Sequence, residues 1–148
     1  MPKTEDVQKL REATGAGVMD SKRALEEAGG DFAEALEIIK KRGLAIAKEK
    51  SERAIKAGLI EAYSHNSRVG AILKLGCETD FVAKSEPFRE LAHNLTMQIT
   101  AMNPKDIDEL LAQPFIKDER TTIDELIKQI IAKTGENIRL DSFHRLEL

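Results

Sequence analysis

The obvious nucleophilic reading of this sequence is a Cys/His pair, Cys77 with His65, His93 or His144 as its base. A reactive thiol needs its sulfur ionised, beside a cation or at a helix N-terminus. Cys77 instead closes an alternating run in which Val69, Ala71, Leu73, Leu75 and Cys77 share one face, so it reads as a buried structural cysteine. The histidines are dispersed, with no HxxxH or HExxH spacing, and a single cysteine supports neither a cysteine-based zinc site nor an internal disulfide. The carboxylates are scattered over what read as helix surfaces. No catalytic residue, cofactor site or metal site is nominated, and the expectation is a protein that is not an enzyme.

The more informative stretch is the one that follows the cysteine, Cys77-Glu78-Thr79-Asp80-Phe81-Val82-Ala83-Lys84-Ser85-Glu86-Pro87-Phe88. Glu78, Thr79 and Asp80 are poor strand residues and good turn and cap residues, so the chain should leave a sheet here and point Asp80 and Phe81 outward. A phenylalanine on a polar tip can anchor in a partner's pocket or staple back over the next helix. The residues alone leave both readings open.

Two further stretches bear on binding. The loop Thr14-Gly15-Ala16-Gly17-Val18-Met19-Asp20 is glycine-rich, but it has no Lys-Ser/Thr at Walker spacing, no preceding strand and no GxGxxG pattern, so phosphate binding is disfavoured. Val18 and Met19 beside it either seal a helical bundle or offer an adaptable contact, and sealing is the default. From Lys40 to Lys56 seven basic residues (Lys40, Lys41, Arg42, Lys48, Lys50, Arg53, Lys56) face only Glu49 and Glu52. Without interleaved aromatics this run reads as a solvated surface, with no direct nucleic-acid role expected.

These stretches must be positioned by a chain of 148 residues, 41% hydrophobic and 33% charged, with no long apolar run. That is enough for one domain, or one domain with a small appendage, and too little apolar length for a membrane helix. The N-terminus, Met1-Pro2-Lys3-Thr4-Glu5-Asp6, lacks the basic region and apolar run of a secretory signal, so a cytoplasmic location is expected. The net charge of −3 is uneven: residues 1–56 hold 12 Lys/Arg against 11 Asp/Glu, and residues 57–148 hold 11 against 15.

Helical spacing organises the first third. Thr4 is a candidate cap for a helix with Val7, Leu10 and Ala13 on one face, ended at Thr14-Gly15. A second helix is expected over 18–28, and a third from the Asp31/Glu34 capping box, with Phe32, Ala35, Leu36, Ile38 and Ile39 as its stripe and Gly43 as its stop. The basic run from 44 to 56 then reads as a partly helical linker. The pattern switches to alternation at 58–64 and 69–77, a hairpin turning at His65-Asn66-Ser67-Arg68. Ser85 should cap a long helix carrying Phe88, Leu91, Ala92, Leu95, Ile99 and Met102. A short helix over 106–112 and one capped by Thr122 and stopped by Gly135 follow, and the tail 138–148 supplies a third strand with Ile138, Leu140, Leu146 and Leu148 in phase. The expected architecture is α+β: a three-helix bundle over 1–43, a linker over 44–56, and a core over 57–148 of a three-stranded antiparallel sheet covered by helices. An open sheet of that size invites self-association.

Three separated motifs in order sharpen this: Leu10-Arg11-Glu12-Ala13-Thr14-Gly15-Ala16-Gly17-Val18-Met19-Asp20-Ser21-Lys22-Arg23-Ala24-Leu25, then Cys77 to Lys84, then Gly135-Glu136-Asn137-Ile138. Together they closely resemble the elongation factor Ts family over the whole chain. The resemblance implies a ubiquitin-associated-like N-terminal module, an α+β dimerisation core, and guanine nucleotide exchange on the translational GTPase elongation factor Tu. Carried over by motif, Asp80 and Phe81, flanked by Thr79 and Val82, would enter the GTPase near its switch helices and magnesium site. Gly135 would lie near that contact, and Val18 and Met19 would dock the module, which reverses the sealing preference. Longer members of the family carry a second core repeat and a coiled-coil insertion; this chain resembles a short form with one repeat, expected to pair through its sheet as a homodimer.

Overall fold

The computed structural model describes all 148 residues. Three helices, α1 (Thr4–Thr14), α2 (Val18–Glu27) and α3 (Phe32–Lys50), lead to a hairpin of β1 (Ala57–His65) and β2 (Val69–Cys77). A one-turn helix α4 (Asp80–Ala83), the long α5 (Glu86–Met102) and the short α6 (Ile107–Ala112) come next. A small hairpin of β3 (Pro114–Phe115) and β4 (Asp118–Thr122) then precedes α7 (Ile123–Thr134) and the last strand, β5 (Arg139–Glu147). The fold is α+β: β2 is the middle strand of an antiparallel sheet of order β1-β2-β5, and α5 packs across β1 and β2 on one face.

Most of the expected apolar stripes build the core, while Ala13, Phe32 and Met102 at helix ends stay exposed. Phe88, Leu91, Ala92, Leu95 and Ile99 of α5 meet Ala71, Leu73, Leu75 and Cys77 of β2, with Ile123, Ile127 and Ile131 of α7 closing one side. A second, much smaller cluster of Leu10, Ala24, Leu25, Ala28 and Ala35 holds the three N-terminal helices together. That cluster is too small to be secure alone. It is braced by α3, which supplies Ala35 to the small cluster and Ala47 to the large one and packs along α7.

Gly43 does not stop α3. The helix runs on to Lys50 because Leu44-Ala45-Ile46-Ala47 are good helix formers with Ala47 buried beneath them. A side chain at Gly43 would stand 3.6 Å from Ala132 Cβ, so the glycine marks where α3 and α7 come close. Lys40 Nζ lies 2.7 Å from Glu125 Oε2 across the same helix pair. That carboxylate is the main reason the Lys40 ammonium titrates above its usual range.

Other local readings also change. Lys3, not Thr4, takes the cap position of α1 and makes no side-chain cap bond. Ser85 precedes α5, but its hydroxyl donates backward to Val82 O at 2.6 Å rather than capping the helix. Asp31 and Thr122 cap as expected, accepting from Glu34 N at 3.1 Å and Glu125 N at 3.2 Å. The β3–β4 hairpin has no alternating apolar pattern to announce it. It is held from a distance by the buried Gln98 of α5, which donates to Pro114 O at 3.0 Å and accepts from Ile116 N at 2.9 Å.

The tail forms the expected third strand, with its phase broken. Lys74 pairs with Ser142 while Leu75 pairs with Leu140, so Asp141 is an extra residue. Leu140 is buried, yet Leu146 and Leu148 turn to solvent, and Phe143 and Arg145 take the inner face instead. The outer face of the sheet carries no helix. Ile60, Ile72 and Leu146 are exposed on it, linked through the register Ala62–Ile72–His144 and Ser64–Gly70–Leu146.

Cys77 ends β2 fully buried in the large cluster. Burial, aided by the nearby Glu136 carboxylate, pushes its thiol above 9.0. The folded chain therefore keeps a proton that the unfolded chain releases. The resulting stabilisation is complete below pH 9.0 and is lost as pH rises through the higher folded value. Urea midpoints followed from about pH 8 to about pH 10 should fall more in the parent than in Cys77→Ala, since any loss from Lys40 is common to both proteins. Equal slopes in the two proteins would show that the thiol does not carry the effect.

Candidate partner-binding site

The polar exit from β2 is built as a single closed turn. Cys77 Sγ donates to Thr79 O at 3.2 Å, tying the end of the strand to the first residue outside it. Thr79 is the N-cap of α4, its hydroxyl oxygen accepting from Val82 N at 3.3 Å. Asp80 sits exposed in the first turn, where a carboxylate suits the helix N-terminus. Phe81 is 86% exposed, while the next two residues, Val82 and Ala83, are buried in the core cluster. The staple alternative is thereby excluded, since a ring folded over α5 could not be that exposed. Val82 faces inward, so its side chain holds the turn from below while Phe81 points away from it.

A second junction backs this turn. Gly135 ends α7 in the left-handed conformation at φ 76°, with its amide on Ile131 O at 2.8 Å, and only glycine adopts that backbone without cost. The chain so redirected places Glu136 against the β2 exit. Glu136 Oε1 accepts from Glu78 N at 3.1 Å and Thr79 N at 2.9 Å, and Oε2 accepts from Thr79 Oγ1 at 2.7 Å. Glu78 reciprocates, its Oε1 accepting from Asn137 N at 2.9 Å. Buried Asn137 then donates to Ser51 O at 3.3 Å and Arg53 O at 2.9 Å, where the chain leaves α3. Glu136 and Asn137 were not singled out as site residues from sequence. Both stand in the Gly135-Glu136-Asn137-Ile138 motif of the resemblance, of which only Gly135 is carried over as a contact.

The N-terminal features fall elsewhere. Val18 and Met19 open α2 at 49% and 57% exposure, so they do not seal the bundle; Leu10, Ala24 and Leu25 do. Gly15 caps α1 in the left-handed region and Gly17 is the N-cap of α2, which makes the glycine-rich loop a helix-to-helix turn. The basic run is partly spent on internal ion pairs: Lys40 with Glu125, Arg42 with Glu27, and Arg53 with Glu78 at 3.8 Å. Away from the site, the Arg120 hydrogen bond holds the half-exposed Asp118 carboxyl below its usual value. No helix is long and apolar enough to cross a membrane.

The family model described as "Elongation factor TS" matches residues 78–148, which include the tip and the Glu136 junction. A chloroplastic elongation factor Ts of Cyanidioschyzon merolae is 43% identical over 193 aligned positions, covering 97% of this chain and 92% of the relative. An elongation factor Ts of Thermotoga petrophila is 40% identical over 186 positions, covering 96% and 94%. Both alignments are longer than this chain, so those relatives carry stretches with no counterpart here. A relative of the same name from Aquifex aeolicus is 46% identical over 149 positions, covering 97% of this chain but 51% of its own length. Identity of this order across nine-tenths of both partners in the first two alignments leaves one family, and the chain belongs to it: elongation factor Ts.

Proposed function

We propose that this chain is a guanine nucleotide exchange factor of translation elongation, acting in the cytoplasm on elongation factor Tu. It makes and breaks no covalent bond itself. The observation that carries the reading is Phe81, an exposed aromatic ring on a turn whose next two residues are buried, so that ring is offered outward from a held backbone. Asp80 and Phe81 insert near the GTPase's switch helices and magnesium site, and Thr79 and Val82 keep the turn closed beneath them. Gly135 supplies the sharp bend behind the contact. The thermodynamic logic is linkage: a factor that binds the nucleotide-free GTPase more tightly than the GDP-bound form must lower the affinity for GDP by the same ratio.

The remaining assignments extend that reading. Residues 1–43 act as a docking module through Val18 and Met19, residues 44–56 join it to the core with α3 continuing into them, and residues 57–148 form the core that carries the tip. The uncovered outer face of the sheet pairs two copies, with Ile60, Ile72 and Leu146 at its centre. No nucleic acid takes part directly, which fits the engagement of Lys40, Arg42 and Arg53 in internal ion pairs.

Phe81→Ala should lower stimulated release of labelled GDP at least tenfold, the order expected for losing a buried aromatic anchor, with an unchanged melting temperature because the ring is free in the isolated chain. A Phe81→Ala protein as active as the parent would show the wedge assignment to be wrong. The double substitution Val18→Ala, Met19→Ala should instead raise the concentration of factor needed for half-maximal release and leave the maximal rate near that of the parent. Sedimentation of the isolated chain should give a dimer, and Ile72→Glu should convert it to a monomer; a parent that sediments as a monomer at micromolar concentration rejects pairing through the sheet.

A further inference from the structure

Glu136 lies outside every role given above, yet it makes three hydrogen bonds to the two residues that precede the tip. We propose that Glu136 is a positioning residue for nucleotide exchange: its carboxylate sets the Thr79 hydroxyl so that α4 stays capped and Phe81 stays presented. The proposal rests on the reading of Phe81 as the inserted group.

Thr79 has a single hydroxyl proton to give. Glu136 Oε2 receives it at 2.7 Å, so a lone pair of Oγ1 is left facing Val82 N at 3.3 Å, the bond that closes the first turn of α4. Asp80 and Phe81 are the two residues enclosed by that bond, between Thr79 and Val82. The other oxygen, Oε1, takes the amides of Glu78 and Thr79 at 3.1 and 2.9 Å, two donors freed where β2 stops and a helix of only four residues begins. A four-residue helix cannot hold itself, because a single turn does not repay the entropy of its nucleus. The phenyl ring adds to the difficulty, since an 86% exposed aromatic group gains by folding down onto apolar surface. What opposes both tendencies is the set of charge-assisted bonds from Glu136, with Val82 and Ala83 buried below.

Glu136 is itself located. Gly135 redirects the chain, Asn137 N donates to Glu78 Oε1, and the Asn137 side chain is tied to Ser51 O and Arg53 O. The carboxylate therefore meets the tip from a second segment rather than following it. Without it the ring would have to be ordered at the moment of insertion, a cost paid in the step that expels the nucleotide and not in docking through the N-terminal module.

The test compares Glu136→Ala, Glu136→Gln, Thr79→Val and Phe81→Ala. It reads maximal GDP release, half-saturating factor concentration, melting temperature, and hydrogen exchange at the Val82 amide. Glu136→Ala should lower the maximal rate about tenfold, as expected for losing charge-assisted bonds, with the half-saturating concentration unchanged. Exchange at Val82 should quicken while β2 and α5 stay protected. Glu136→Gln keeps an acceptor for the two amides and should recover part of the rate. Thr79→Val should lose part of the rate, and Glu136→Ala should cost less in that background than in the parent, because the two share the hydroxyl bond while the two amide bonds belong to Glu136 alone.

A Glu136→Ala protein with the parental maximal rate, beside an inactive Phe81→Ala, would overturn the positioning role and leave the wedge standing. Loss of exchange protection throughout the core in both Glu136→Ala and Thr79→Val would also overturn it, by reducing Glu136 to a general structural residue. A fully active Phe81→Ala would overturn the wedge and the positioning role together.

Discussion

Two carboxylates facing each other across the ends of β2 and α7 hold the middle of this molecule. Each uses its oxygens on backbone amides of the other's segment, Glu136 on those of Glu78 and Thr79, Glu78 on that of Asn137. Backbone donors at such junctions need partners, because the strand and the helix that would have satisfied them have both stopped. Asn137 extends the arrangement to the carbonyls of Ser51 and Arg53, so three stretches far apart in the chain are tied at one point. The exit of α3, the tip of α4 and the start of β5 all take their direction from it.

The same junction fixes where the chain leaves the N-terminal helices, at Ser51 and Arg53. Their own core is five small or medium side chains, and they are joined to the larger core by α3 continuing past Gly43 onto α7. The helix that carries Ala35 in one cluster carries Ala47 in the other. Val18, Met19 and Phe81 are consequently exposed on one connected frame, and a partner touching all three need not pay for ordering a flexible tether. The basic residues along α3 and just beyond it serve this geometry through ion pairs with Glu27, Glu125 and Glu78.

The sheet shows how one inserted residue can change a surface. Asp141 shifts the phase of β5, so Phe143 and Arg145 reach the inner face and Leu146 is sent outward. Arg145 Nε then donates to Thr100 O at 3.1 Å near the C-terminal end of α5, a polar contact in place of an apolar one. The outer face thereby gains an exposed leucine on β5 beside Ile72 and Ile60.

Much of this was legible in the chain itself. Periodicity is a local property, so the amphipathic stripes of α5 and α7, the alternation of β2 and the burial of Cys77 could be read directly, and Asp31, Thr122, Gly15 and Gly135 announced the ends of their helices. The Cys77-to-Lys84 run was recognisable as a tip because turn and cap residues interrupt a strand there. What lay beyond the sequence was everything decided by segments meeting. Whether Phe81 folds back or stands out depends on whether α4 closes over Val82 and Ala83. Whether Val18 and Met19 seal depends on how much of the bundle Leu10, Ala24 and Leu25 already fill. Gly43 reads as a stop because glycine usually is one, and only the packing of Ala47 beyond it carries the helix on. Glu136 stands in the Gly135-to-Ile138 motif, yet its contact with Thr79 is decided only by tertiary folding, since a hydrogen bond across 57 residues leaves no periodic trace in the chain that makes it.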